Sequence, residues 1–298
     1  MRGNPRNQAG QIFRPLARIG KSRHADKQAA RAAGHRGSHK IAQVTGVYSY
    51  RTLTEYRKHT AAFLQYVRDT HGVKDAAKIQ PEHVRDYLRL KMIKGVRFKT
   101  WQTYAAALNK AAAGLKEIYG TETGWTEIIA EERQTARQVL ARDIKPRAYL
   151  NPSTLINQLT DNHKTAAQIQ YHAGARIKEI TRLTKSNLLK RNRIKLTNTK
   201  GGRIRVIEVP PNIYQKVANE IKKTGTFTIN YKHYLADLQA AALETGQPYT
   251  GSHGLRWNYA QESMKTLQEQ GRTYDQALTE TADHMGHTRP EITEHYLQ

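Results

Sequence analysis

The chain has 298 residues, enough for two domains of ordinary size, and 38% of them are hydrophobic. Lys and Arg number 49 against 25 Asp and Glu, a formal net charge of +24 that indicates a polyanionic partner, with nucleic acid favoured over a membrane surface. The absence of cysteine excludes disulfides, thiolate catalysis and Cys-based zinc sites, and no apolar run is typical of a bilayer span or a secretory signal. We therefore expect a cytoplasmic, nucleoid-associated protein.

The first segment, residues 1–45, is predicted to be a flexible basic arm. It holds seven Arg and three Lys against the single acid Asp26, with few large apolar side chains. Such a composition buries too little apolar surface to offset the entropy cost of ordering the chain. We expect the arm, with a short helix near residues 25–33, to lie along a phosphate backbone; the alternative is a solvated tail without defined contacts.

Residues 46–145 are predicted to form a compact domain of four helices. Apolar side chains recur at steps of three and four from Leu53 to Val67, which marks the buried stripe of a helix. Glycine and proline signals then separate helices over about 81–94, 100–119 and 125–140. Exposed basic side chains of this domain suit phosphate contacts, with an ordinary solvated face as the alternative. The candidates are Arg85, Arg89, Lys91, Lys94, Arg97, Lys99 and Lys110.

The boundary between the two predicted domains falls in a polar segment with one proline, residues 142–147. A second domain follows over residues 146–298. A hinge at this linker would let two lobes close round a duplex.

An arginine early in the second domain lies at a predicted helix start. Gly174 permits a break in the backbone just before Arg176, where backbone N–H groups favour an anion. Glu179 follows one helical turn later and is placed to brace a neighbouring cation. By itself this arginine is only an ordinary surface candidate.

The clearest strand signal is a β-hairpin. Residues 193–197 and 203–209 alternate between polar and apolar side chains, and residues 198–202 form a turn between them. Lys200 would lie at the tip, where a lysine is usually a solvated turn residue. A hairpin tip can also reach into a DNA groove, where the ammonium would give a proton to a departing 5′ oxygen.

Further candidate side chains lie near the end of the chain. His253 and Arg256 share one face at the start of a predicted helix, and His287 and Tyr296 follow. A phenol, with an ordinary pKa of about 10, needs a proton acceptor and cations beside it to act as a nucleophile. Fixed Arg and His donors also stabilise the charge that gathers on a phosphodiester under attack. The set predicts phosphoryl transfer; the alternative is that residue types frequent in this chain co-occur by chance.

Taken together, these pieces resemble the motifs of the tyrosine site-specific recombinases of the phage integrase type. In chain order they are Gly174-Ala175-Arg176 with Glu179, Lys200, His253-Gly254-Leu255-Arg256, Met285-Gly286-His287 and Tyr296. They are similar to the family's first arginine box, hairpin lysine, His-x-x-Arg box, Leu-Gly-His motif and nucleophile, with methionine in place of the usual leucine. The resemblance covers residues 149–298, and the first domain is similar to the family's core-binding domain in size and position only.

The resemblance implies a mainly α fold with a small β-hairpin or sheet, arranged as a two-domain, C-shaped DNA clamp. It implies that Tyr296 attacks a DNA phosphodiester to form a 3′-phosphotyrosine, while Arg176, Arg256 and His287 hold the non-bridging oxygens. His253 would act as acid or base and Lys200 as the acid to the leaving oxygen. The resemblance also implies that no metal or cofactor is needed.

The implied partner is double-stranded DNA, and the implied assembly is a homotetramer on two paired recombination sites, helped by accessory DNA-bending proteins. Only Leu297 and Gln298 follow Tyr296, so we expect weak association between protomers without DNA. The implied role is integration, excision or resolution of a mobile genetic element. Two alternatives stay open: a type IB topoisomerase-like enzyme that relaxes DNA by the same chemistry, and a non-catalytic basic DNA-binding protein.

Overall fold

The computed structural model describes residues 1, 3–141, 146–197, 199 and 204–298. The chain divides into two compact units, Met1–Ile144 and Lys145–Gln298, and each unit contains a hydrophobic core. Both units are mainly helical, and short strands pair in the second unit, which confirms the predicted class of a mainly α fold with a small sheet. In the described part of the chain, no helix combines the length and the apolarity needed to cross a membrane.

The first unit is built from helices that pack round two buried tryptophans. Its helices are α1 (Pro5–Phe13), α2 (Arg23–Ala32), α3 (Ser38–Val44), α4 (Tyr50–His71), α5 (Pro81–Ile93), α6 (Phe98–Tyr119) and α7 (Trp125–Val139). Helices α4 to α7 lie where the sequence predicts four helices, and α4 ends at the left-handed Gly72. The indole N–H of Trp101 donates to the carbonyl of Leu88 (3.1 Å), and that of Trp125 donates to the carbonyl of Ile79 (3.2 Å).

Three helices, α1 to α3, lie within the first 45 residues, which corrects the prediction of a flexible arm. Ile12 and Phe13 on α1 are fully buried, and α1 packs against α4 and α6. Gln8 is buried too: its Nε2 donates to the carbonyl of Lys74 (2.7 Å), and its Oε1 accepts from the N–H of Ala76 (2.9 Å). The segment is polar on average, but α1 has one apolar face. Burial of that face offsets the entropy cost of ordering the chain.

The second unit combines helices with short antiparallel strands. Its helices are α8 (Pro152–Gln158), α9 (Asp161–Ala173), α10 (Ile177–Ile180), α11 (Pro211–Thr224), α12 (Tyr231–Glu244), α13 (His253–Glu269), α14 (Tyr274–Met285) and α15 (Glu291–Glu294). Its strands are β1 (Arg182–Leu183), β2 (Leu188–Leu189), β3 (Arg193–Leu196), β4 (Arg205–Glu208) and β5 (Phe227–Thr228). The sheets are β2-β3-β4 and β1-β5.

The predicted hairpin is confirmed for its two strands. β3 and β4 pair antiparallel, with Arg193 opposite Glu208 and Leu196 opposite Arg205. Ile194 and Leu196 are fully buried, as expected of alternate positions on a strand with one face on the core. Most of the predicted turn, residue 198 and residues 200–202, lies outside the described residues, as does residue 203 of the second predicted strand.

Three helix ends meet in the second unit. Helix α13 packs against both α9 and α14. Arg256 at the start of α13 donates to the carbonyls of Gly174 and Met285, so the end of α9, the start of α13 and the end of α14 come together. Side chains distant in sequence are thereby brought to one place.

Candidate active site

The Arg176 segment lies between the end of α9 and the start of α10. Gly174 ends α9 with a left-handed backbone (φ 57°), and a Cβ there would lie 2.4 Å from Cδ1 of Tyr259, so only glycine fits. Glu179 accepts from Nη1 of Arg176 through Oε1 (2.9 Å) and from its backbone N–H through Oε2 (2.8 Å). Burial alone would raise the pKa of Glu179, but the charge of Arg205 and these hydrogen bonds hold that pKa below its usual range. Glu179 therefore stays ionised and fixes Arg176.

Arg256 lies in the first turn of α13 and is 0% exposed. Its Nη1 donates to the carbonyl of Gly174, and its Nη2 donates to the carbonyl of Met285 (2.6 Å) and to Nε2 of His287 (2.9 Å). Burial, followed by repulsion from Arg176, lowers the pKa of Arg256 to about 10, which leaves it charged near neutral pH. A buried cation whose hydrogen bonds go to neutral groups is the arrangement expected of an anion site.

His287 follows Gly286 at the end of α14 and is buried. A guanidinium nitrogen only donates, so Nε2 of His287 accepts from Arg256 and we assign the ring proton to Nδ1. Nδ1 lies 2.8 Å from Oγ1 of Thr293 and donates to it. Burial, followed by the charge of Arg256, lowers the pKa of His287 to about 3, which agrees with a neutral ring.

Tyr296 and His253 meet directly. The hydroxyl of Tyr296 lies 2.9 Å from Nε2 of His253, and Tyr296 is 7% exposed. Burial, followed by repulsion from Arg256, lowers the pKa of His253 to about 4. A histidine that is neutral at pH 7 can accept a phenolic proton, so the pair has the geometry of a nucleophile and its base.

Aromatic rings, among them those of His253, Trp257 and His287, and one guanidinium surround the Tyr296 ring. Its centroid lies 5.3 Å from that of His287, 5.4 Å from that of His253 and 5.4 Å from that of Trp257. The guanidinium carbon of Arg256 lies 5.9 Å from the same centroid. Tyr296 is therefore held by the groups with which it would act.

Arg205 on β4 joins this group, although the sequence did not single it out. Its Nη2 donates to Oε2 of Glu179 (2.7 Å), and its Nη1 donates to the carbonyl of His284. The one sequence signal was a basic residue in a strand of the hairpin, which Arg193 and Lys195 share. Thr293 was missed for a similar reason, because a threonine in a short polar helix has no distinguishing pattern.

The predicted catalytic side chains that the structure describes lie together. Tyr296 contacts His253, and His287 contacts Arg256. Arg176 is joined to them through Glu179 and Arg205, and its charge acts on both histidines and on Arg256. The remaining member of the predicted set, Lys200, lies outside the described residues.

The site carries more positive than negative charge. Glu179 pairs with Arg176 and Arg205, Arg256 donates to neutral groups, and burial keeps His253 and His287 neutral. Nε of Arg205 and Nε of Arg256 are buried without a hydrogen-bond partner in the described part of the chain. These features favour an anionic ligand such as a phosphodiester. Among the described residues there is no cluster of three His, Cys, Asp or Glu suited to a metal ion.

In the first unit, several predicted DNA-binding side chains have intramolecular partners. Arg85 and Arg89 on α5 both pair with Glu132 of α7, at 3.5 Å and 2.9 Å. The ammonium of Lys91 lies 4.5 Å from the ring centroid of Tyr87. Contacts of these three side chains with DNA stay predictions, as do those of Lys94, Arg97 and Lys99.

Lys110 is buried, which corrects its prediction as an exposed phosphate contact. Its Nζ donates to the carbonyls of Ala42 (2.6 Å) and Thr45. Burial, followed by repulsion from Arg23, lowers the pKa of Lys110 to about 8. This lysine therefore fastens the end of α3 to α6.

Neither protein-family models nor curated proteins give a match to this chain. Solved structures do match it. The chain is similar to the Tn1549 transposon integrase in complex with transposon right-end DNA, with a TM-score of 0.58 and 17% identity, over 90% of this chain and 93% of that chain.

Two further structures show the same likeness. XerH site-specific recombinase bound to its palindromic difH substrate has a TM-score of 0.65 and 11% identity, over 100% of this chain and 94% of that chain. A lambda integrase dimer bound to a COC′ core site has a TM-score of 0.61 and 12% identity, over 93% of this chain and 77% of that chain. At these identities the likeness is one of fold. The chain therefore has the fold of the tyrosine recombinases and integrases that these three proteins represent.

Proposed function

We propose that the protein is a site-specific DNA recombinase that cleaves and rejoins DNA through a 3′-phosphotyrosyl intermediate. The observation that carries the proposal is the 2.9 Å contact between the Tyr296 hydroxyl and Nε2 of His253, next to the buried cation Arg256. The proteins of the same fold are described as integrases and a site-specific recombinase in complex with DNA, which supports it. The proposed role is integration, excision or resolution of a mobile genetic element.

In the proposed cleavage step, the Tyr296 oxygen attacks the phosphorus of one DNA strand. The bond from phosphorus to Tyr296 forms and the bond to the 5′ oxygen breaks, which leaves a 3′-phosphotyrosine and a free 5′-hydroxyl. His253 accepts the phenolic proton, and Lys200 donates a proton to the departing oxygen. Rejoining reverses these steps with the 5′-hydroxyl of another strand, so the phosphotyrosine conserves the energy of the broken linkage.

Arg176 and Arg256 hold the non-bridging oxygens in this mechanism. Donors that are already fixed before reaction stabilise the developing charge without reorganisation. His287 is assigned a different task from the one implied by the resemblance, because its Nε2 accepts from Arg256 and has no proton to give to phosphate. We propose that His287 aims the Arg256 guanidinium.

We propose double-stranded DNA as the partner and a homotetramer on paired sites as the working assembly, formed on DNA at the nucleoid in the cytoplasm with accessory DNA-bending proteins. The net charge of +24 supports a partner of this kind, since neutralised phosphates release counterions. Basic side chains of the first unit would supply contacts to the DNA backbone. They include Lys94, Arg97 and Lys99.

A covalent-trapping selection tests the proposal. The protein is incubated with a random-sequence duplex library that carries one nick per molecule, so that the short product with its 5′-hydroxyl diffuses away and the adduct persists. Adducts are isolated under denaturing conditions and sequenced. We expect the unsubstituted protein to give adducts enriched in one sequence, and Tyr296→Phe, which lacks only the hydroxyl, to bind DNA but give no adduct.

The other outcomes separate the alternatives. Adducts that persist in Tyr296→Phe would contradict the assignment of the nucleophile. A protein that binds the library but forms no adduct would be a non-catalytic DNA-binding protein. A topoisomerase would form adducts and relax plasmids that lack the selected sequence. It would not exchange strands between two copies of that sequence.

A further inference from the structure

Arg205 lies at a junction of three segments of the second unit. It belongs to β4, where it is paired with Leu196 of β3, and its side chain is 10% exposed. From there it reaches Oε2 of Glu179 (2.7 Å) and, at longer range, the carbonyl of Gly174 (3.4 Å). Its other terminal nitrogen donates to the carbonyl of His284. One side chain thus joins the hairpin, the Arg176 turn and the end of α14.

Arg256 makes a parallel connection. It also donates to the carbonyl of Gly174, and it reaches α14 one residue further along, at the carbonyl of Met285. The last carbonyls of a helix lack partners within the helix and carry the negative end of its dipole, so cations are favourable there. Two guanidinium groups therefore clamp the end of α14 to the Gly174 turn.

The backbone at the end of α14 is shaped to admit Arg205. Gly286 has a left-handed backbone (φ 67°), and a Cβ at this position would lie 2.9 Å from Cδ of Arg205. A side chain here would displace the arginine stem. His287 is the next residue, so the segment that Arg205 holds is the one that sets the ring against Arg256.

We infer that Arg205 is a positioning residue for the proposed cleavage of DNA by Tyr296. The inference rests on that proposed function. Arg205 holds His287, and through it Arg256, against the Arg176 turn. It also anchors β4, the second strand of the hairpin. Lysine cannot replace it fully, because a single ammonium cannot span Glu179 and the α14 carbonyls as a planar fork does.

The first test uses the protein without DNA, so that it is independent of the proposed chemistry. Amide hydrogen exchange is measured in the unsubstituted protein, Arg205→Ala, Arg205→Lys and the control Arg193→Ala, which removes an exposed charge from the same hairpin. In both Arg205 variants we expect the amides of Gly286 and His287 to exchange roughly tenfold faster or more, while amides within α9 keep their rates. The control should match the unsubstituted protein.

The second test uses the trapping substrate at saturating DNA. We expect adduct formation to slow about 100-fold in Arg205→Ala and about tenfold in Arg205→Lys, since a small misplacement of catalytic groups costs this much, with little change in DNA affinity. A loss confined to DNA affinity, with an unchanged rate at saturation, would make Arg205 a DNA contact and overturn the inference.

Unchanged exchange at Gly286 and His287 would also overturn it, whether or not the protein forms adducts. Should Arg205→Ala fail to fold, Arg205→Lys carries both tests, because it retains the charge. Failure of the proposed function would appear separately, as an absence of adduct in the unsubstituted protein.

Discussion

The hydroxyl of Thr293 holds the ring of His287, which in turn holds Arg256. Thr293 is fully buried, and its Oγ1 accepts the Nδ1 proton at 2.8 Å. Its backbone carbonyl also accepts from the N–H of Tyr296 (2.8 Å). A single threonine therefore links the histidine, the arginine and the segment that carries the tyrosine.

Replacing Thr293 by valine tests this link, because valine keeps the shape and removes the hydroxyl. A buried N–H left without an acceptor costs about 1–3 kcal/mol, so we expect a loss of that size in the free energy of unfolding of the second unit. Adduct formation should slow by roughly tenfold through misplacement of Arg256. Urea unfolding and single-turnover trapping measure the two effects.

Thr293→Ser is the matched control, since it retains the acceptor. Behaviour close to that of the unsubstituted protein is expected for it. A serine variant as defective as the valine variant would assign the effect to packing of the methyl group. A valine variant with normal stability and rate would contradict the proton assignment of His287.

Among the structural elements, α1 departs most from the sequence prediction. Replacement of the fully buried Phe13 by alanine leaves a cavity next to α4 and α6, and changes of this kind cost about 3–5 kcal/mol. We expect that loss in urea unfolding of the first unit, followed by the fluorescence of Trp101 and Trp125. The exposed Arg6 on the same helix gives the control, since Arg6→Ala should change the free energy of unfolding by less than about 0.5 kcal/mol. An unchanged free energy of unfolding in Phe13→Ala would support the original prediction of a flexible arm.

Elements with a local signal could be predicted from the sequence. The three and four residue spacing of apolar side chains from Leu53 to Val67 predicted α4, and glycine and proline signals separated α5, α6 and α7. Alternation defined β3 and β4. Each of these signals lies within the element itself, so no knowledge of distant residues was needed.

The rest depended on contacts between distant positions. The apolar face of α1 is short, and it is buried by contacts with α4 and α6, which are distant in sequence. The sequence of α1 alone therefore did not predict that this face is buried. The two-residue strands β1 and β5 exist only because they pair with each other. The motifs placed Arg176, His253, Arg256, His287 and Tyr296 in the candidate set, but the polar partners Arg205 and Thr293 carry no motif.

For the whole molecule, the candidate site makes stability depend on pH. The folded pKa values of His253 and His287 are about 4 and about 3, against an ordinary value of about 6.5. Between these limits the unfolded chain binds protons that the folded chain does not, so stability falls as pH falls from about 6.5 towards 4. The slope is at most about 1.4 kcal/mol per pH unit for each histidine. His172, whose pKa is also lowered by burial, adds to the effect.

Urea unfolding between pH 7.5 and 4.5, resolved to residues 145–298 by hydrogen exchange, measures this slope. His253→Asn combined with His287→Asn should flatten it, because neither amide titrates. An equally steep loss in the double variant would assign the acid sensitivity to groups elsewhere in the unit.

Exposure to solvent is graded across the candidate site. The Arg176 side chain is 22% exposed, Tyr296 is 7% exposed, and Arg256 is 0% exposed. A polyanion drawn in by the overall charge would thus touch the outermost guanidinium before any deeper group. Under the proposed function, encounter with Arg176 and engagement of the phenol are separate events, so a strand of the wrong sequence can leave before the phenol reacts.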